Sequence, residues 1–314
     1  MFDGDDGLPG GAGYGVGLNG NIDPYAFKEV DTESLGGSVI AGGRNALMMH
    51  VAGTYTADRN GVFYAKDSSI VTDRALLSDE DTEYSINASW YGRELSPNIQ
   101  KFIEDVSGDD ILLKSVNADI TLDNVVMESY SGVLVHSVLN NDTSTPATPA
   151  GTNPVGTSLV MRNMSVAGDI LDEDYERVMR ITLDNASLTG SIISGTCAAW
   201  TERWLDAGYA EDYTIGFASN TFGSEEPLDA FVHDIVMSND GTYEVTVYGD
   251  DQGTALTLKN GSEWTVTAES SLTELTVEAG CVIHGIVTVD GQLVDTSSGG
   301  SFIGAINVTP YTAS

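Results

Sequence analysis

One asparagine recurs at matched places in four short segments, and this limits the available folds more than any other feature. The segments are LDNVVMES (122–129), MRNMSVAG (161–168), LDNASLTG (183–190) and LKNGSEWT (258–265). Each reads Leu or Met, any residue, Asn, any residue, then a strand-forming run. The asparagines are Asn124, Asn163, Asn185 and Asn260, separated by 39, 22 and 75 residues. Those gaps correspond to about two, one and four units of roughly 20 residues, with insertions absorbing the slack, and a unit of that size is the repeat scale of solenoids.

The type of repeat follows from its period. A helical solenoid needs apolar residues at a 3.6-residue period, and a leucine-rich repeat needs a fixed run of leucines; these segments have neither. From Ser38 onward the chain consists of short runs rich in Val, Ile, Leu, Thr and Tyr, such as SVIAG, GVFYAKDSSIV and DILLKSVNADITLDNVVM, bounded by Gly, Asn, Asp or Ser. That is the signature of strands and turns. The expected fold is mainly β, a right-handed parallel β-helix, with a β-sandwich or stacked hairpins as alternatives. An Asn at a turn can stack on the Asn one turn away, its amide bonding neighbouring backbone, which explains why it recurs at a strand end.

The C-terminal third alternates apolar and polar residues almost without a break. Its expected core face is Val245, Val247, Leu256, Leu258, Trp264, Val266, Leu272, Leu275, Val277, Val282, Ile286, Val287 and Val289. The expected organisation is an irregular leader or cap over 1–38, then a β-helix domain over 39–314. Insertions interrupt that domain at about 95–107, 140–158 and 197–233. The first holds a short helix candidate, Ser96 to Val106, with Ser96 as cap, Pro97 in the first turn and Ile99, Phe102, Ile103 and Val106 on one face. The second is polar and carries three prolines, as a surface loop does. The third places Trp200 and Trp204 four residues apart.

Charge excludes several functions. Thirteen Lys and Arg stand against 47 Asp and Glu, a formal net charge of −34. No basic surface exists to displace counterions from phosphates, so a nucleic-acid partner is excluded. Docking on anionic lipid through a polybasic patch is excluded likewise. No run of about 18 apolar residues is present, so no membrane-spanning helix is expected. The first residues lack the basic and apolar regions of a signal peptide. Five lysines and abundant Gly, Thr, Ser, Asp and Asn nevertheless match a secreted repetitive β protein. The expected setting is extracellular or cell-surface, the export signal or anchor lying outside this sequence.

The segment LTLKNGSEWTVTAESSLTELTVEAGCVIHG resembles the rung repeats of pertactin-like autotransporter passengers and related bacterial adhesin-like β-helix proteins. In those an Asn-Gly turn leads to a Trp-containing strand, a Ser-Leu-Thr step, a Leu-rich strand and a Gly turn. The similarity spans about residues 254–291 and is partial over 111–196. It implies the β-helix fold and surface exposure. The function it implies is recognition, without catalysis, of a glycan or of a host or bacterial surface protein. The alternatives are a carbohydrate-active enzyme, a hydrolase or lyase with an acidic cleft, and a structural stalk.

Candidate chemistry is sparse. β-Helix polysaccharide hydrolases typically combine Asn-x-Asp, Asp-Asp, Gly-His-Gly and Arg-x-Lys; Asp-Asp occurs, as at Asp5–Asp6, Asp109–Asp110 and Asp250–Asp251, but neither of the last two motifs does. The acidic runs Asp79 to Asp81, Asp109–Asp110, Asp172 to Asp174 and Asp250–Asp251 are expected to be solvated turns, and no catalytic residue is assigned. No cofactor is expected. Calcium is the cation such loops would take, with DGDDG at 3–7 and Asp240, Asp250 and Asp251 as the nearest approximations. His50, His136, His233 and His284 are scattered, three of them (His50, His136 and His284) in apolar strands, and read as outward or hydrogen-bonded residues rather than metal ligands. Cys197 and Cys281 would lie two or three rungs apart, too far for a disulfide, and are expected to be unbridged, buried thiols. Trp200 and Trp204 are the candidate ligand-binding residues, since aromatic faces on a projecting insertion stack on sugar rings or anchor a protein; the alternative is that they pack the insertion onto the side of the β-helix.

Overall fold

Alternation decides the local structure. In Thr157–Arg162, Met179–Asp184 and Thr254–Lys259 every second residue is buried, as an extended chain with one face on a core requires. The computed structural model describes residues 14–19, 39–43, 45–50, 61–76, 108–114, 116–138, 156–174, 177–194, 214–215, 233–237, 243–247 and 253–311. In chain order the first strands are β1 (Tyr14–Asn19), β2 (Val39–Gly42), β3 (Asn45–His50), β4 (Gly61–Lys66), β5 (Ser69–Thr72), β6 (Ile111–Lys114), β7 (Ala118–Asp123), β8 (Val126–Glu128) and β9 (Val133–Val138). The middle strands are β10 (Thr157–Arg162), β11 (Ser165–Ala167), β12 (Asp169–Glu173), β13 (Met179–Asp184), β14 (Ser187–Thr189) and β15 (Ile192–Ser194). Next come β16 (Thr214–Ile215), β17 (His233–Met237), β18 (Tyr243–Val247), β19 (Thr254–Lys259), β20 (Glu263–Thr265) and β21 (Ser270–Val277). The last are β22 (Val282–His284), β23 (Ile286–Val289), β24 (Gln292–Leu293) and β25 (Gly300–Thr309).

The fold is mainly β, with parallel sheets. The passage β10–β11–β12 is followed by β13–β14–β15, and each strand pairs in parallel with its counterpart 22 residues on: Leu159 with Ile181, Val166 with Leu188, Ile170 with Ile192. One sheet runs β1-β3-β6-β9-β12-β15, all parallel. The largest is parallel from β4 through β7, β10, β13 and β19 to β21, and antiparallel beyond, where β25, β23 and β24 join it. A third is β11-β14-β20-β22, and β2-β5-β8 forms a fourth.

This register stacks like on like. Ile120, Leu159, Ile181, Leu256 and Leu275 form one buried column; Leu122, Met161, Leu183, Leu258 and Val277 form the next. On the sheet of β6 and β9 the column is Leu47, Ile111, Val135, Ile170 and Ile192. A bulge between Asp169 and Ile170 opposite Leu134 lets both Leu134 and Val135 enter the core. Each such side chain contributes about 1.5–3 kcal/mol on burial.

The recurring asparagines form a ladder. Asn124, Asn163, Asn185 and Asn260 all have φ between 51° and 55°, and Asp67, φ 49°, occupies the same corner before β5. This left-handed conformation ends one strand and starts the next, and Asn and Asp tolerate it better than other non-glycine residues. Asn185 Nδ2 donates to Asn163 Oδ1 at 2.8 Å, Asn163 Nδ2 to Asp123 Oδ1 at 2.7 Å, Asn124 Nδ2 to Asp67 Oδ1 at 2.6 Å and Asn260 Nδ2 to Asp184 Oδ1 at 2.6 Å. The expected bonding to backbone is thus side chain to side chain; the backbone bond is made by the asparagine's own N–H, as from Asn163 to Asp184 O. The Asn260 amide, with Lys259 and Arg162 alongside, holds the Asp184 carboxyl below its usual range.

Several expectations change. Of the C-terminal core set, Val282 and Ile286 are exposed, while Ile283, between them, is buried. The buried positions Leu275, Val277, Cys281, Ile283 and Val287 keep one alternating phase across the Gly280 turn, so Val282 and Ile286 fall on the outer face. Val245 and Val247 lie in β18, which pairs antiparallel with β17, and β17 with β16, apart from the parallel sheets. Among the described residues no parallel pairing falls between Ser194 and Thr254, a stretch that runs past 233. Within the leader expected to be irregular, β1 pairs with β3. The helix candidate at 96–106 lies outside the described residues.

Candidate functional site

The densest polar constellation is built where β6, β9 and β12 lie side by side. His136 on β9 faces Leu112 on one neighbour and Leu171 on the other. Asp109 stands just before β6, and Glu173 ends β12. His136 Nδ1 lies 2.7 Å from Asp109 Oδ2, and Nε2 lies 3.2 Å from Glu173 Oε2. Asp109 and His136 are wholly buried and Glu173 is nearly so. Burial alone would lower the histidine's pKa; hydrogen bonds to Asp109 and Glu173 outweigh it and raise the value to about 9. The ring is therefore an imidazolium at neutral pH, with one carboxylate on each nitrogen.

Further hydrogen bonds fix these groups. Ser131 Oγ donates to Asp109 Oδ1 at 2.8 Å, and Asn45 Nδ2 donates to the Asp109 carbonyl at 2.9 Å. Thr72 Oγ1 bonds Asp110 Oδ1 at 3.1 Å and also the Gly108 carbonyl. The other Asp110 oxygen, Oδ2, is buried without a hydrogen-bond partner. Burial pushes the Asp110 carboxyl up to about 7, against the hydrogen bond from Thr72. At the other end of the line, Thr254 Oγ1 donates to Asp172 Oδ2 at 2.7 Å, and Arg177 Nη1 lies 3.0 Å from Asp174 Oδ2.

This chemistry suits holding charge rather than moving it. A general base needs a free nitrogen and a pKa near the working pH. Here both ring nitrogens are engaged, the pKa is far above neutral, and the ring is sealed. The group ties three strands through charge-assisted bonds. No cluster of three or more His, Cys, Asp or Glu suited to a metal ion occurs among the described residues.

The acidic runs Asp109–Asp110 and Asp172 to Asp174 are therefore not solvated turns: all five side chains are buried. Their partners, Thr72, His136, Thr254 and Arg177, mostly lie far along the chain, which is why a local reading exposes them. His136 has the hydrogen-bonded strand position expected of it. His284 is exposed, with Nε2 3.4 Å from Glu263 Oε2. Cys281 is a buried, unbridged thiol. Trp200, Trp204, Cys197 and the acidic runs at 3–7, 79–81 and 250–251 lie outside the described residues, as does the side chain of His50. No helix among the described residues is long and apolar enough to cross a membrane.

No protein-family model matches the chain, and no curated protein or solved structure matches it.

Proposed function

We propose that the chain is a right-handed parallel β-helix protein of bacterial adhesin-like type. It recognises a glycan or a surface protein at the cell exterior without catalysing a reaction. The observation that carries this reading is the residue-for-residue parallel register of β10–β11–β12 on β13–β14–β15 and onward to β19 and β20. A chain that passes through three sheets in turn and stacks on itself makes a stiff body with long flanks, a form suited to presenting recognition surfaces. The right hand follows from the strong preference of parallel crossovers. The non-catalytic part is supported by the buried His136, whose two nitrogens are already occupied.

The ligand contact is assigned to Trp200 and Trp204. A glycan array, with immobilised bacterial and host surface proteins as a second arm, tests this with the wild type and the Trp200→Ala/Trp204→Ala double variant. Binding by the wild type and loss of about tenfold or more in the variant support the reading. Unchanged binding removes the site, and release of shortened oligosaccharides replaces recognition by hydrolysis or cleavage.

A further inference from the structure

The sheet β11-β14-β20-β22 ends in an open edge. β22 pairs with β20 on one side, and no described strand pairs with it on the other. In a parallel ladder alternate residues turn their backbone groups to opposite neighbours. The Val282 N–H donates to Ser262 O, and His284 O accepts from the Val266 N–H, so Val282 and His284 serve β20. Ile283 therefore turns its N–H and C=O to the open side.

A hollow of about 540 Å³ lies along this edge. Its walls include Val282, Ile286, Leu293, Val294 and Tyr311, with Asp295 on the segment opposite β22. Leu293 and Tyr311 are 74% and 62% exposed, although large and apolar. The Ser297 N–H donates to Asp295 Oδ1 at 2.9 Å, which holds the carboxyl below its usual range and keeps it charged.

We propose that this hollow is a strand-addition site for an extended, basic peptide segment of a partner protein. The peptide lies beside β22 as the next strand, its backbone bonding the Ile283 N–H and C=O. Apolar side chains at alternate positions fill the space over Leu293 and Tyr311, and a Lys or Arg pairs with Asp295. The open ladder calls for an extended backbone, because only a strand uses both groups in register. Charge selects among strands: a chain of net charge −34 favours a basic segment and disfavours a second copy of itself. The inference stands on the sheet order and the hollow, independently of the adhesion reading.

The test uses the full chain and three fluorescently labelled hexapeptides. One is basic and alternating, Lys-Val-Thr-Val-Lys-Val; one is its acidic counterpart, Glu-Val-Thr-Val-Glu-Val. The third, Lys-Val-Pro-Val-Lys-Val, lacks a backbone donor at its centre. Anisotropy should show the basic peptide binding about tenfold or more tightly than either control. The Ile283 amide resonance should shift and gain exchange protection. Leu293→Ala with Tyr311→Ala, both exposed and so neutral to folding, should weaken binding about fivefold or more. The proposal is overturned if none of the peptides binds at millimolar concentration, if the proline peptide binds equally well, or if the Ile283 amide does not respond. Concentration-dependent self-association that the double variant abolishes would overturn it too, by giving the hollow to a second copy.

Discussion

His136 and Asp109 form a buried ion pair, 2.7 Å from Nδ1 to Oδ2, between strand β9 and the turn that enters β6. Glu173, 3.2 Å from the other nitrogen, extends the pair to β12. The charge of the ring is matched in place, so deleting it strands two buried carboxylates. His136→Leu is expected to cost about 3–5 kcal/mol, as does breaking a buried pair by removing one partner. Adding Asp109→Asn and Glu173→Gln should recover part of that loss, because the orphaned charges go with it. Urea unfolding midpoints of the three proteins check this; a single variant as stable as the wild type would refute the pairing.

The same groups set a pH dependence whose sign can be worked out. His136 titrates at about 9 in the fold against 6.5 ordinarily, and Asp110 at about 7 against 3.8. In both cases the folded form binds the proton more tightly, so stability falls as pH rises. The Asp110 contribution is full below 3.8 and lost by about 7; the His136 contribution is full below 6.5 and lost as pH passes about 9. Within each window the slope is at most about 1.4 kcal/mol per pH unit. Asp110→Asn mimics the neutral acid and should remove the lower window alone. The stability gap between this variant and the wild type should therefore shift in favour of the variant from pH 4 to pH 8. A constant gap would show that Asp110 titrates normally.

The asparagine corner separates two effects in one position. Asn185 has φ 51° and donates to Asn163 Oδ1. Asn185→Gly keeps the conformation and loses the bond, a loss of about 0.5–1.5 kcal/mol. Asn185→Ala loses the bond and adds about 1–2 kcal/mol for a left-handed alanine. Denaturant unfolding should therefore rank wild type, glycine, alanine in falling stability. Alanine equal to glycine would mean that the corner conformation is not under strain.

Much of the parallel body is legible in the sequence because its rules are local. The two-residue period of Leu256, Leu258, Leu275 and Val277 gives a buried face, and the recurring asparagine marks where the chain turns. Those features need no knowledge of distant residues. The burial of Asp109 does: its histidine partner is 27 residues away and the second carboxylate lies 37 residues beyond that. A run of acids at a turn has the same local pattern whether solvated or paired. Strand β1 escapes notice because glycines separate Tyr14, Val16 and Leu18, and its pairing with β3 is also non-local. The open edge of β22 is a property of sheet order, which no single segment carries.

A glycine that closes two of the four repeat segments gives the last prediction. Gly168 and Gly190 occupy the corner after β11 and after β14, and their N–H groups donate to Thr189 O and Thr265 O. A methyl group on Gly190 would collide with the Gly168 carbonyl. On the same corner the Trp264 Nε1–H donates to Gly190 O at 2.9 Å, with the indole wholly buried. The backbone approach is thus fixed from one side by the neighbouring turn and from the other by a ring with no room to retreat. Gly190→Ala should cost about 3 kcal/mol, at the upper end for overpacking, because backbone rather than a flexible side chain must yield. Gly261→Ala is the control: it has φ 75° but open space around it, so only conformational strain of about 1–2 kcal/mol applies. Unfolding midpoints that place Gly190→Ala above Gly261→Ala in stability would show that the turns stand farther apart at this corner.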